Sequence, residues 1–397
     1  MATAAGAVDR VPAAGGRFVL EAALAAEATV VGVVGEIAAL DDRSWWAKLE
    51  IERSLSGDAA PGDAVPIAWE ELARDRPRRF DEGDRVLVVL EPLPGWSIWR
   101  TRLAGREAIG IARRGEAFLR DPDAESLGIL GRLLARAPEA RAAAPGRSDL
   151  AALVARGAES LARAAVTELD RSLPAGAELA PAVRTVLAAA LLDATRPAQV
   201  RTALLSWIAR RRLEAFRSEL EALLAPGSEQ APDAVAALAS LDGGLPAQRA
   251  EALLARAEPE LRAAVLRHAG ASLPLAAIEA HMTGDPAPEV RAAAVRALVQ
   301  RRGVEAFPAV APLLARSDSR AGAAAVHALG DLGAPVVPPL VEWILPRSIE
   351  EARGGVLALG RAGPSGQLAL RGLANEHPDA MVRGLAEFLL GRPPRRH

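Results

Sequence analysis

Five histidines are the side chains in this 397-residue sequence best suited to proton transfer near neutral pH. His268, His281, His327, His377 and His397 are dispersed, and none stands in an HExxH arrangement on a helix. His268 and His327 fall on expected helices and His377 in a turn, where structural roles are expected. Lys48 lies in an expected strand, with no GxxxxGK[ST] loop around it, and no GxGxxG opens a helix after a strand. There is no GxSxG elbow; Gly363-Pro-Ser-Gly366 reads as a turn between helices. The absence of cysteine excludes disulfides, thiolate catalysis and iron–sulfur ligation. No catalytic residue, cofactor site or metal site is therefore expected.

Binding offers more candidates than catalysis does. Trp343 and Glu342 fall at the edge of a helical stripe formed by Val337, Leu340, Val341 and Ile344, with Arg371 about one layer further along. Trp and Arg dominate binding hot spots, so these three are expected to meet a partner, the alternative being that Trp343 wedges between second helices among small Ala and Gly residues. Five of the seven tryptophans crowd into the first half. Trp45 and Trp69 suit a core, whereas Trp46 shares its strand face with charged residues and Trp99 opposes Trp96 and Ile98. Trp46 and Trp99 are expected either to stack a ligand or to pack against the helical half.

The elements that must carry these residues repeat. Val290–Leu298 reads VRAAAVRAL, Val200–Ile208 reads VRTALLSWI, and Leu261–Ala269 reads LRAAVLRHA. The end of this template falls at 208, 238, 269, 298, 329, 359 and 389, with intervals of 30, 31, 29, 31, 30 and 30. Each unit opens on an Asp/Pro-rich turn such as Ala231-Pro-Asp233, Asp285-Pro-Ala-Pro288, Ser317-Asp-Ser319 or His377-Pro-Asp379. Such residues accept the free N–H groups of a helix start, and Pro fits the first turn. A first helix follows, then a Gly break at Gly303, Gly333 or Gly363, then a second helix, often opened by Pro. Apolar residues spaced by three and four give each helix one buried stripe, so the hairpins must stack on one another.

Residues 197–391 resemble the short HEAT repeats of the phycobilin-lyase type, whose signature is a VR-x-x-A-x-x-AL-x-x-LG run; 290–303 and 318–333 match best. The resemblance implies a right-handed superhelix whose second helices line the concave side. Residues 121–196 are helical but out of phase, expected as a linker or as degenerate capping repeats, with a flexible joint at Pro138–Gly146.

The first half reads as β-structure. Trp45, Ala47, Leu49 and Ile51 alternate with Trp46, Lys48, Glu50 and Glu52, and Val65, Ile67 and Trp69 share one face. Val86–Leu90 is apolar on both faces and should be central. Trp96–Leu103 is expected as a fifth strand and Ala108–Ala112 as a sixth, in a small antiparallel barrel. Ile51-Glu-Arg-Ser-Leu-Ser-Gly57 and the run Phe80–Leu90 resemble the ERVLKG and F-x-x-G-x-x-YLVFL runs of bacterial domains similar to tissue inhibitors of metalloproteinases, which implies an OB-like barrel. The animal inhibitors act through an N-terminal cysteine that this chain lacks, so protease inhibition is not implied.

The expected fold is thus α+β and multidomain. A lead segment (1–26) precedes an OB-like barrel (27–120), a helical stretch (121–196), a solenoid of about seven HEAT-like hairpins (197–391) and a basic tail (392–397). Residues 1–120 carry 16 basic and 19 acidic side chains, and 121–397 carry 32 and 31, so neither half has the basic excess of a nucleic-acid groove. Arg210, Arg211 and Arg212 read as a dipole-favoured helix end. No apolar run is long enough to span a bilayer, and 1–16 lacks a signal-peptide pattern. A cytoplasmic location is expected, or export if a trimmed start hides a signal. Abundant arginine and alanine suggest a GC-rich bacterial genome. The expected function is a non-enzymatic scaffold holding a protein partner on the concave face, the alternative being a HEAT-repeat enzyme of the DNA glycosylase or bilin lyase kind.

Overall fold

The computed structural model describes residues 19–26, 28–70, 79–93, 97–112, 117–317 and 319–391. The first eighteen residues of the expected lead segment, Trp96, Asp318 in one inter-repeat turn and the basic tail lie outside the described residues. The chain divides into two compact units, Met1–Trp207 and Ile208–His397.

The first unit opens with α1 (Val19–Ala25), whose Val19 and Leu20 are fully buried. Six strands follow: β1 (Ala28–Ala39), β2 (Ser44–Ser56), β3 (Ala64–Glu70), β4 (Arg85–Glu91), β5 (Ile109–Ile111) and β6 (Phe118–Arg120). The ladder runs β1-β2-β3-β5-β4, and β4 returns to β1, which closes a five-stranded barrel; β6 adds to β4. Gly32 stands where a bulge brings the β2 backbone close, since a Cβ there would lie 2.4 Å from the Glu50 carbonyl oxygen. The core holds Ala47, Leu49, Ile51, Ile67 and Trp69 from the expected inward faces, with Val86, Val88 and Leu90 of β4. Trp69 meets Phe80 edge-on at 5.0 Å, and Phe80 meets Phe118 at 4.9 Å.

Three expectations for the barrel need correction. Residues Ser97–Leu103 form a helix, α2, where a strand was expected. Trp99 and Leu103 stand four apart, a spacing that one helical face satisfies, and both join a cluster with Trp46 and Ala68. The β3–β5 ladder (Ile67↔Ile109, Ala68↔Gly110) is parallel, so the barrel is not wholly antiparallel. Parallel neighbours need a crossover, and the chain from β3 through β4 and α2 supplies it. β6, which adds Phe118–Arg120 to β4, was not anticipated.

Beyond the barrel, the first unit contains α3 (Ala124–Leu134), α4 (Pro138–Ala142), α5 (Ala144–Arg156), α6 (Glu159–Ser172) and α7 (Pro181–Leu192), and α8 (Ala198–Arg211) begins in it. The expected flexible joint at Pro138–Gly146 is instead helical, because Pro138 and Pro145 sit in first turns, where a missing N–H costs nothing. Arg141 ties this stretch to α1 by donating to the Leu24 carbonyl at 3.1 Å. In α7, Val183, Leu187 and Leu191 are buried, while Val186 is 36% exposed.

The second unit continues with α9 (Arg217–Ala222), α10 (Ala231–Ser240), α11 (Ala247–Leu254), α12 (Pro259–Ala269), α13 (Leu275–Gly284), α14 (Pro288–Arg302), α15 (Phe307–Leu314), α16 (Arg320–Gly330), α17 (Val337–Ile344), α18 (Ile349–Arg361), α19 (Gly363–Glu376) and α20 (Ala380–Leu390). First helices α10, α12, α14, α16, α18 and α20 pack side by side in sequence, each on the next. The expected phase holds: Ile208, Leu238, Ala269, Leu298, Leu329 and Leu359 are all buried. The seventh position is off by one. Arg383 donates to the His377 and Pro378 carbonyls as Arg291 does to those of Asp285 and Pro286, which aligns Leu390 rather than Leu389 with Leu298. Arg262 makes the same latch to Arg256 and Ala257. Each arginine thus satisfies carbonyls in the turn that launches its own helix. The described array ends on α20 without a second helix, so six hairpins and one further helix stand where about seven hairpins were expected.

Candidate protein-binding face of the second helices

In the second helices α11, α13, α15, α17 and α19, one residue per helix reports the inward direction. Ala250, Ile278, Val310 and Leu340 are fully buried and Leu370 is 1% exposed. Breaks at Gly303, Gly333 and Gly363, with φ of 56°, 70° and 71°, let the chain reverse into α15, α17 and α19. Pro308, Pro338 and Pro364 then occupy first turns.

Residues two before, two after and five after that inward residue share the opposite side of each helix, since spacings of four and seven return to one face. The first row is Gln248, Ala276, Pro308, Pro338 and Leu368. The second is Ala252, Ala280, Pro312, Glu342 and Gly372, and the third is Ala255, Thr283, Ala315, Leu345 and Asn375. All fifteen are exposed, and Glu342 alone is charged. Exposed helix positions ordinarily favour charged residues. The outward sides of the first helices obey that rule with Glu260, Arg267, Arg296, Arg320 and Glu350, all exposed. Met381 and Phe388 of α20 depart from it, at 67% and 56% exposure.

Of the residues singled out in the sequence, Glu342 lies within these rows and Arg371 is exposed at their margin. Neither makes an ion pair or hydrogen bond among the described residues. Trp343 turns away from the rows and is half-buried. A Cβ on Gly355 of α18 would come within 3.1 Å of its ring atoms Cε3 and Cζ3. The Arg347 guanidinium stacks 4.2 Å from the ring centroid, and its Nη1 donates to the Trp343 carbonyl. Trp343 therefore fills space between α17 and α18 and supports the face from behind.

Trp46 and Trp99 are brought together on the outside of the barrel. Trp46 is 8% exposed and donates its indole N–H to the Glu107 carbonyl at 3.2 Å. Arg106 stacks over Trp46 at 5.2 Å and Arg102 over Trp99 at 5.5 Å, while Arg102 also pairs with Asp41 at 2.7 Å. They dock α2 onto the barrel and leave Trp46 little surface to offer a ligand.

The titratable clusters serve the array. Asp285 is buried and accepts two bonds from Arg262, one from the Ala287 N–H and one contact from His281 Nδ1, each at 2.9 Å. Burial pushes its carboxyl up, but Arg262, Ala287 and His281 outweigh that and hold it at about 2. His281 and Asp285 stand four apart, a pairing not singled out in the sequence, and Asp285 caps a turn. His377 is buried, with Nδ1 accepting from the Asp379 N–H at 3.1 Å. Burial, with Arg267 beside it, lowers the His268 pKa. No group of three or more metal-ligating side chains occurs among the described residues. No single helix there is long and apolar enough to cross a membrane.

The rows of alanine and proline were missed in the sequence. Their signal is the phase across repeats, which no single helix displays.

A family model for HEAT repeats matches residues 275–360, from α13 to the end of α18. No curated protein matches the chain.

Proposed function

We propose that this protein is a non-enzymatic scaffold whose second-helix face holds a protein partner. HEAT repeats are helical interaction modules, which supports the reading at its coarsest. The observation that carries it is the run of fifteen exposed positions with one charge. Ala, Pro and Gly lose little or no rotamer freedom when covered, and apolar atoms gain from leaving water. A partner seated there avoids much of the ordering cost that charged, long side chains would impose. The alternative, a HEAT-fold enzyme, asks for clustered acid, base and aromatic groups on the same face, and the single carboxylate there favours binding. We read the repeats as the phycobilin-lyase subtype on their phased VR runs, and the barrel as inhibitor-like on Ile51–Gly57 and Phe80–Leu90.

Affinity capture from the native host with three forms of the chain tests the reading. The protein captured by the unaltered chain should persist with Arg296→Glu on the first-helix side and vanish with Ala280→Arg. Capture that survives Ala280→Arg and fails with Arg296→Glu would place the partner on the opposite side.

A further inference from the structure

We infer that Glu342 selects the partner, and that the segment seated on the second-helix face is apolar and carries one basic residue opposite Glu342. The inference rests on the proposed binding face and adds the chemistry of its occupant. Glu342 is the one charge among fifteen exposed positions, so a partner covering the rows removes this carboxylate from water. An ionised group buried without a partner is far more costly than the apolar contacts around it are favourable.

Among the described residues no cation on the neighbouring elements pairs with Glu342, although Arg316 and Arg371 are exposed there. Pro312 and Ala315 of α15 are neutral, as are Gly372 and Asn375 of α19. Arg347, on the turn after α17, is held against the Trp343 ring and its carbonyl. Arg371 of α19 makes no ion pair with Glu342 within 4.0 Å. A cation on the partner completes the unpaired carboxylate, which rejects a segment with an acidic residue at that place. An arginine fits best, since its planar fork meets a carboxylate with two bonds. The rows over α13 and α15, with Ala276, Ala280, Pro308 and Pro312, take the apolar residues of the segment.

Selection of random dodecapeptides displayed on phage tests this on the full chain, in parallel with Glu342→Lys and Pro312→Arg variants. Arginine is a better helix former than the proline it replaces, so Pro312→Arg should fold, and its circular dichroism melt serves as the control. The unaltered chain should enrich apolar peptides with Arg or Lys at a fixed place. Selection on Glu342→Lys should put Asp or Glu at that place, and a peptide from the first selection should lose at least tenfold in affinity for it. Apolar peptides with no preference for a basic residue, yet abolished by Pro312→Arg, would sink the role of Glu342 and leave the binding face standing. Peptides that bind Pro312→Arg unchanged, or no enrichment at all, would sink both. Co-sedimentation with phosphatidylcholine vesicles, lost in Pro312→Arg, would assign the face to a lipid surface and also overturn the proposal.

Discussion

Arg262 of α12 and Asp285, in the turn before α14, are joined by two bonds of 2.9 Å, and their side chains are only 9% and 2% exposed. Through its third nitrogen Arg262 also holds the turn that launches α12, so one guanidinium fastens two consecutive repeats. Breaking a buried pair from one side leaves the other charge uncompensated. Asp285→Asn should cost about 3–5 kcal/mol at neutral pH, measured by chemical denaturation.

The same pair sets a pH dependence. The Asp285 carboxyl is held at about 2 in the folded chain, below the unfolded value of about 3.9. A depressed folded value means that the stabilisation is complete above the unfolded pKa and is lost as pH falls towards 2. The stability gap between the unaltered chain and Asp285→Asn should therefore be constant above about pH 5 and shrink below pH 4. A gap that widens on acidification would contradict the assignment.

Coupling along the array is open to a separate test. Leu329 and Leu298 are fully buried at equivalent places on adjacent first helices. Leu329→Ala should cost about 2–5 kcal/mol. Since stacked repeats share their stability, hydrogen exchange should quicken in α14 and α18 as well as in α16. Loss confined to 320–332 would contradict a coupled stack.

Trp343 and Gly355 make a second testable pair. A methyl on Gly355 would lie 2.8 Å from Ile344 Cγ1 and 3.1 Å from the Trp343 ring. Gly355→Ala should destabilise by about 1–3 kcal/mol through overpacking. Combined with Trp343→Ala it should cost less than the sum of the two, because the smaller side chain makes room. Strict additivity in a double-mutant cycle would show that the ring does not rest on this glycine.

The repeat was legible because its signal is distributed: a buried apolar stripe recurring near every 30 residues survives substitutions in any one unit. Strands β2 and β3 were legible for the related reason that their inward residues alternate, and β4 because it is one continuous apolar run. Residues Ser97–Leu103 were not, because Trp99 and Leu103 satisfy a helix while their neighbours also alternate like a strand. The parallel β3–β5 ladder depends on a crossover that leaves no local pattern. At the candidate site Trp343 stands out by its type, whereas Ala276, Ala280, Pro308 and Pro312 do so only by their shared exposure across α13 and α15. Alanine and proline carry no signal singly, because helices use them equally in close packing and in first turns.

Nucleic acid offers a control on the charge argument. With 32 basic against 31 acidic side chains over 121–397, that part of the chain is nearly neutral and has little charge to drive counterion release. Fluorescence anisotropy should show no salt-dependent micromolar binding to duplex DNA at physiological ionic strength. Such binding would revive the glycosylase alternative.

The most direct test of the binding face is photo-cross-linking with a photoreactive amino acid placed at one position at a time in host extract. Probes at Ala280 and Ala315, on the second helices, should each trap the same protein, while probes at Arg267 and Arg296, on the first helices, should trap none. Cross-links from 267 and 296 with none from 280 and 315 would contradict the account.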